Sequence, residues 1–129
     1  MIYLDTSAAL KLVLPEPETE VLEQWITERI AAPRISSRLL RIEMMRTVRR
    51  HAPQRVERAD VVLSGITQLS MDDAAPLAEM IGNPTLRSLD AIHLATAYGV
   101  RDALTAFVCY DGKLCTSAKA AGLPVESPS

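Results

Sequence analysis

An α/β fold, a small parallel sheet with helices on both faces, follows from three observations in the 129-residue chain. Short apolar runs carrying Ile, Val, Tyr and Phe alternate with longer stretches of helical spacing. An aspartate stands directly after the first and the last strong strand, and a helix-forming run follows each of them. Such alternation, joined by right-handed crossovers, builds a layered parallel sheet. The length suits one domain, residues 1–129, large enough to bury most of the surface that its unfolded form exposes.

Ile2-Tyr3-Leu4 is the first strand and Asp5 ends it, with Thr6 and Ser7 leading into a helix through Ala8, Ala9, Leu10, Leu12 and Val13. Ligands of open parallel sheets bind outside the carboxyl ends of the strands, so Asp5 faces that crevice, and it equally suits the N-cap of the helix. Pro15-Glu16-Pro17-Glu18 breaks the chain, and helical spacing resumes from Glu18 to Ile30 with Trp25 as a packing anchor. Pro33 closes that helix; Arg34-Ile35-Ser36-Ser37 reads as a second strand, with Ser37 the cap of a helix from Arg38 to His51. Glu43 falls at the border of that helix's apolar face, where a carboxylate costs desolvation unless something cationic meets it. Arg34 to Arg58 hold eight arginines against two glutamates, which makes this stretch either a phosphate-contacting surface or a solvated helix face.

After Pro53 the spacing of Val56, Ala59, Val62, Leu63 and Ile66 predicts a helix reaching Leu69, with a brief strand over Leu69-Ser70-Met71. Asp72 and Asp73 start a helix over residues 74–81, with Pro76 in its first turn, and capping explains one of them. Gly82-Asn83-Pro84 leads to a helix from Ser88, its cap, to Tyr98. Asp90 lies in the first turn, where the helix dipole favours a negative charge, yet it shares a face with Leu94, Ala97 and Tyr98. His93, one turn on, reads as a hydrogen-bonded core residue rather than a metal ligand. Residues 105–110 form the strongest strand, which Asp111-Gly112 ends before a helix over residues 113–121; Gly122 is its C-cap and Leu123-Pro124-Val125 a last edge strand.

Composition excludes several classes of function. No apolar run approaches bilayer length and no leader-like segment opens the chain, so the expectation is a soluble, cytoplasmic protein without membrane contact. The net charge of −2 argues against coating nucleic acid by bulk attraction. Cys109 and Cys115 make neither a disulfide framework nor a zinc motif and are expected to be reduced and incidental. There is no GxSxG elbow, Walker loop or GxGxxG. Four acids converging from Asp5, Glu43, Asp90 and Asp111 would repel one another unless a divalent cation resolved the conflict. All-oxygen ligation suits magnesium or manganese, and magnesium completes its shell with water and phosphate, which points to phosphodiester chemistry.

These residues also carry a resemblance. Ile-Tyr-Leu-Asp5-Thr-Ser-Ala-Ala-Leu, Ser37 followed by Glu43, Leu-Asp90-Ala-Ile-His-Leu-Ala-Thr-Ala, and Cys-Tyr-Asp111-Gly-Lys-Leu with the later Ala-Gly-Leu-Pro resemble a PIN-domain ribonuclease of the VapC toxin type over nearly the whole chain. The resemblance implies a PIN-like three-layer α/β/α fold and a Mg²⁺-dependent endoribonuclease, with Mn²⁺ as a substitute, from a type II toxin–antitoxin pair. It further implies an RNA substrate such as transfer or ribosomal RNA, a cognate antitoxin that covers the active site, and a homodimer. Carried over by position, Asp5, Glu43, Asp90 and Asp111 are the catalytic, metal-holding acids. The chain departs from the family at Cys109, where a hydroxyl residue commonly stands. Two other readings stay open: a PIN-like fold that only binds protein partners, and a receiver-like regulatory domain, for which Lys113 lacks the expected context. A haloacid-dehalogenase-type phosphatase would need a second Asp where Ser7 stands.

Overall fold

The computed structural model describes residues 1–129. Its five strands are β1 (Ile2–Leu4), β2 (Arg34–Ser37), β3 (Thr67–Leu69), β4 (Ala106–Val108) and β5 (Val125–Glu126). They form one sheet in the order β3-β2-β1-β4-β5, every neighbouring pair parallel. The helices are α1 (Thr6–Lys11), α2 (Thr19–Thr27), α3 (Leu39–His51), α4 (Val56–Ser64), α5 (Met71–Ala78), α6 (Ser88–Gly99) and α7 (Gly112–Ala120). The α/β class and the parallel sheet are as the sequence predicts. No helix is long and apolar enough to cross a membrane.

Two apolar clusters sit on opposite faces of this sheet, and the two-residue period of a strand decides which side chain joins which. Ile2 and Leu4 of β1 and Ala106 and Val108 of β4 pack with Leu22, Ile26, Leu40, Met44 and Leu63, that is, against α2, α3 and α4. Tyr3 of β1 and Phe107 of β4 point the other way, into Leu94, Ala97, Leu114 and Ala118 of α6 and α7. Tyr3 and Phe107 are fully buried and stack with ring centroids 5.2 Å apart. Because both faces of β1 and β4 are covered, these strands are continuously apolar instead of alternating, as parallel strands are.

Several boundaries differ from the sequence reading. The helix predicted to reach Leu69 stops at Ser64 with Gly65 as its C-cap, and Thr67–Leu69 pairs with β2. The apolar spacing of α4 runs on through Ile66, buried like its predecessors, so periodicity alone does not show that the backbone has become extended. α5 then begins at Met71, earlier than residue 74, because Ser70 and not Asp72 or Asp73 is its N-cap: the Ser70 side chain accepts from the Asp73 amide at 3.3 Å. Pro76 consequently lies inside that helix. The N-cap of α6 is Arg87, with Ser88 the first helical residue. Gly122 closes the last helix at a φ of +84°, a conformation that favours glycine. Cys109 and Cys115, expected to be incidental, are brought together as a disulfide pair with Cα atoms 6.2 Å apart. Cys115 lies in the first turn of α7, which starts at Gly112, shortly after β4 ends at Val108.

The topology also fixes where a ligand would sit. From β1 the chain moves outward through β2 and β3 and then crosses to β4 on the other side of β1. This reversal leaves a crevice outside the carboxyl ends of β1 and β4. The Asp5 amide donates to Val108 O at 3.2 Å, tying those two ends together.

Candidate active site

Asp5 and Asp111 leave β1 and β4 by the same device. Each caps the helix that follows with Oδ1: Asp5 accepts from the Ala8 amide at 2.9 Å, Asp111 from the Leu114 amide at 3.0 Å. Ser7 Oγ also donates to Asp5 Oδ1 at 2.7 Å, and itself accepts from the Tyr110 amide at 2.9 Å, stitching the two strand ends a second time. Capping thus engages one oxygen of each acid and leaves Oδ2 to other partners. Asp5 is nearly sealed from solvent at 3% exposure, whereas the Asp111 side chain is 33% exposed.

Glu43 reaches the same end from α3. Its Oε1 accepts from Thr6 Oγ1 at 2.6 Å and from His93 Nε2 at 2.8 Å. His93, buried as a core residue should be, meets the Tyr3 hydroxyl with its other nitrogen at 2.7 Å. Asp90 stands one turn before His93 on α6. Arg87, three residues earlier, spans Asp90 Oδ2 at 3.3 Å and Asp111 Oδ2 at 3.4 Å. The four predicted acids therefore gather at one end of the sheet through three connectors, Thr6, His93 and Arg87, which sequence reasoning did not put forward as site residues. A signal existed for each: Thr6 adjoins Asp5, Arg87 has the three-residue helical spacing to Asp90, and a buried histidine must satisfy two ring nitrogens. Cys109, at the family's hydroxyl position, is fully buried and makes no bond to the Asp111 carboxylate, which has Leu114 and Arg87 instead.

Burial and like charge govern the electrostatics. Burial pushes Asp5 from its ordinary 3.8 up to about 6, against the opposing effects of Ser7, His93 and the Ala8 amide, and the Asp90 charge adds to the rise. Asp90 is also raised, first by burial and further by Asp111, with Arg87 opposing. Glu43 goes the other way: burial raises it, but the bonds from His93 and Thr6 outweigh burial and hold it below the usual carboxylate range. No three His, Cys, Asp or Glu side chains stand ready-spaced to hold a metal ion. The guanidinium of Arg87 occupies the position between Asp90 and Asp111 instead. A cleft of about 410 Å³ lies elsewhere, between α2 and α4, lined by Leu12, Ile26, Val61 and Ile66.

A parallel sheet with strand-ending acids at its topological switch defines a class of α/β protein whose chemistry sits at that edge. The model of the PIN domain matches residues 2–116. The chain is 45% identical to Ribonuclease VapC47 of Mycobacterium tuberculosis over 132 residues, covering 99% of this chain and 97% of that protein. It is 40% identical to Ribonuclease VapC35 over 131 residues and 36% identical to Ribonuclease VapC46 over 129 residues, both of the same organism, covering 99% of this chain and 97% and 98% of those proteins. The crystal structure of Mycobacterium tuberculosis VapC20, described as a sarcin-ricin loop cleaving toxin, superposes with a TM-score of 0.68 over 99% of this chain and 100% of that one; at 14% identity the likeness is one of fold. The chain belongs to the PIN-domain family, among the VapC ribonucleases.

Proposed function

We propose that this protein is the toxin of a type II toxin–antitoxin pair, a Mg²⁺-dependent endoribonuclease that hydrolyses phosphodiester bonds in RNA through Asp5, Glu43, Asp90 and Asp111. Full-length identity to VapC ribonucleases supports an RNA-cleaving toxin. The observation that carries the site assignment is the meeting of acids from the ends of β1 and β4 and from α3 and α6 at one end of the sheet, two of them with pKa values raised first by burial and further by a neighbouring carboxylate. Membership of the PIN-domain family leaves the receiver-like alternative without support.

The residues suit a hard dication in donor chemistry. Every candidate ligand is a carboxylate oxygen, and a divalent charge would relieve the repulsion that Asp5 and Asp90 feel. Mn²⁺ would substitute for the same reason. A bound Mg²⁺ would supply an activated water and offset charge on the phosphate and the leaving oxygen. The chain's own part is positional: helix capping orients Asp5 and Asp111, while Thr6 and His93 hold Glu43 ionised. Asp90 and Asp111 would hold the cation in competition with Arg87, whose guanidinium would then be free for phosphate. The substrate is structured RNA of the transfer or ribosomal kind, the site is covered by a cognate antitoxin in the resting cytoplasm, and the toxin works as a homodimer.

The test is cleavage of total RNA by the purified protein with Mg²⁺, with EDTA, and by Asp5→Asn. EDTA and the variant each abolish cleavage on this reading. Undiminished cleavage in either case would refute the metal site.

A further inference from the structure

Tyr3 is the middle residue of β1, so the strand's alternation turns it away from Ile2 and Leu4 and beneath α6. It is fully buried, and a buried phenol hydroxyl needs partners. The Ser37 amide donates to its oxygen at 3.1 Å, and burial keeps its proton on well above the usual range for tyrosine. His93 Nδ1 lies 2.7 Å from that hydroxyl, and the opposite ring nitrogen, Nε2, lies 2.8 Å from Glu43 Oε1. A carboxylate only accepts, so Nε2 must carry hydrogen; in the neutral ring Nδ1 is then an acceptor and receives the Tyr3 proton. Thr6 Oγ1, 3.0 Å from Nε2, donates to the same Oε1 at 2.6 Å. Both donors meet Glu43 on one oxygen, and Oε2 has no hydrogen-bond partner within the chain.

We propose that His93 is a positioning residue for the metal site: anchored at Nδ1 by the Tyr3 hydroxyl, it presents Nε2–H to Glu43 and pins that carboxylate by Oε1 so that Oε2 is kept for a divalent cation. The inference rests on the reading of Glu43 as a metal-site acid. It differs from a packing role, for which the direction of the proton in the ring would be immaterial. It also differs from ligation by His93, since both ring nitrogens are already engaged by the protein. Partners that orient a metal's ligands are worth 10- to 100-fold in metal affinity on the general scale of such sites.

The experiment uses the full chain with Mn²⁺ alone as the probe, followed by calorimetry, and long-range ¹H–¹⁵N correlation of the imidazoles. Only His51 and His93 contribute signals. His93 in the metal-free protein shows the Nε2–H pattern; Tyr3→Phe, which keeps the ring stacked on Phe107, removes the hydroxyl that anchors Nδ1 while Glu43 still requires Nε2–H. His93→Leu weakens Mn²⁺ binding by about 10- to 100-fold. His93→Gln, whose side-chain amide restores an N–H toward Glu43, recovers most of that loss. Tyr3→Phe is the variant that decides if His93→Leu does not fold; it lowers Mn²⁺ affinity by about 10-fold. A native Nδ1–H tautomer, or Mn²⁺ affinity unchanged in both Tyr3→Phe and His93→Leu, overturns the proposal while leaving the metal site standing. A wild-type protein that binds no Mn²⁺ overturns the metal site itself, and the role of His93 with it.

Discussion

The two halves of the acid cluster are held by different forces. In the inner half, Asp5 is 3% exposed and the Glu43 side chain 24% exposed, and both are fixed by donors at 2.6 to 2.9 Å from Ser7, Ala8, Thr6 and His93. In the outer half, Asp90 and Asp111 share a single arginine whose side chain is 73% exposed and whose contacts are 3.3 and 3.4 Å. Short buried hydrogen bonds lose little to solvent, whereas an exposed ion pair is screened and contributes little. The inner acids are therefore part of the frame, set by β1, α1, α3 and α6 as those elements pack. The outer acids share one exposed counter-ion, Arg87, and only Asp111 has a further tie, from the Leu114 amide at 3.0 Å.

The largest effect that separates the halves is the pH dependence of Asp5. Its pKa is raised from 3.8 to about 6 in the folded protein, so between these values the native state binds the proton that the unfolded state has released. Stability from this group is accordingly lost as pH rises from about 4 to 6, by at most about 3 kcal/mol. Asp5→Asn keeps a good N-cap and removes the charge. Urea unfolding of the metal-free variant at pH 8 will show it more stable than wild type, with the difference vanishing below pH 4. Asp111→Asn makes the same exchange at the same kind of cap and will shift stability by less than about 1 kcal/mol. Equal gains from the two variants would erase the distinction between inner and outer acids.

Arg87→Ala probes the outer half directly. Removing the resident cation will tighten Mn²⁺ binding by about 5-fold, the equivalent of roughly 1 kcal/mol for an exposed pair, with the urea midpoint nearly unchanged. This is opposite in sign to the loss expected at His93. Weaker Mn²⁺ binding in Arg87→Ala would mean that the arginine organises Asp90 and Asp111 instead of standing in for a cation.

How much of this was legible in the sequence depended on range along the chain. The Asp5 and Asp111 handovers were readable because a strand, an acid and a helix follow one another within ten residues, and capping needs only local backbone. Strand β2 was readable between Pro33 and the helix it precedes. β3 was read two residues late, at Leu69-Ser70-Met71 and not Thr67–Leu69, because Ile66 continues the helical spacing of α4 across Gly65. The contact of His93 with Glu43 joins residues 50 apart, and that with Tyr3 joins residues 90 apart. Periodicity identifies the buried face in such cases, but which polar atom meets which is settled only when the layers close. The cysteine pairing, over a mere six residues, was missed for a related reason: it depends on how sharply β4 turns into α7.

The arginine-rich stretch yields the smallest effect and the finest division. Arg41 is bound to Asp60 at 3.1 Å, while Arg55 and Arg58 donate to the Val13 and Leu12 carbonyls at 3.1 and 3.2 Å, tying α4 and the turn before it to the segment after α1. These three are structural ties. Arg46 and Arg50 are exposed, and they follow Glu43 on α3 by three and seven residues, which puts them on its stripe of the helix. If RNA crosses the acids it lies along that stripe. In an Asp5→Asn background, expected on the proposed function to hold RNA without cutting it, Arg46→Ala and Arg50→Ala will each reduce the slope of log affinity against log salt by about 1. Arg41→Ala will leave the slope as it was, since its charge is already met by Asp60. An unchanged slope in Arg46→Ala and Arg50→Ala together would move the RNA path off α3 and leave phosphate contact to the freed guanidinium of Arg87.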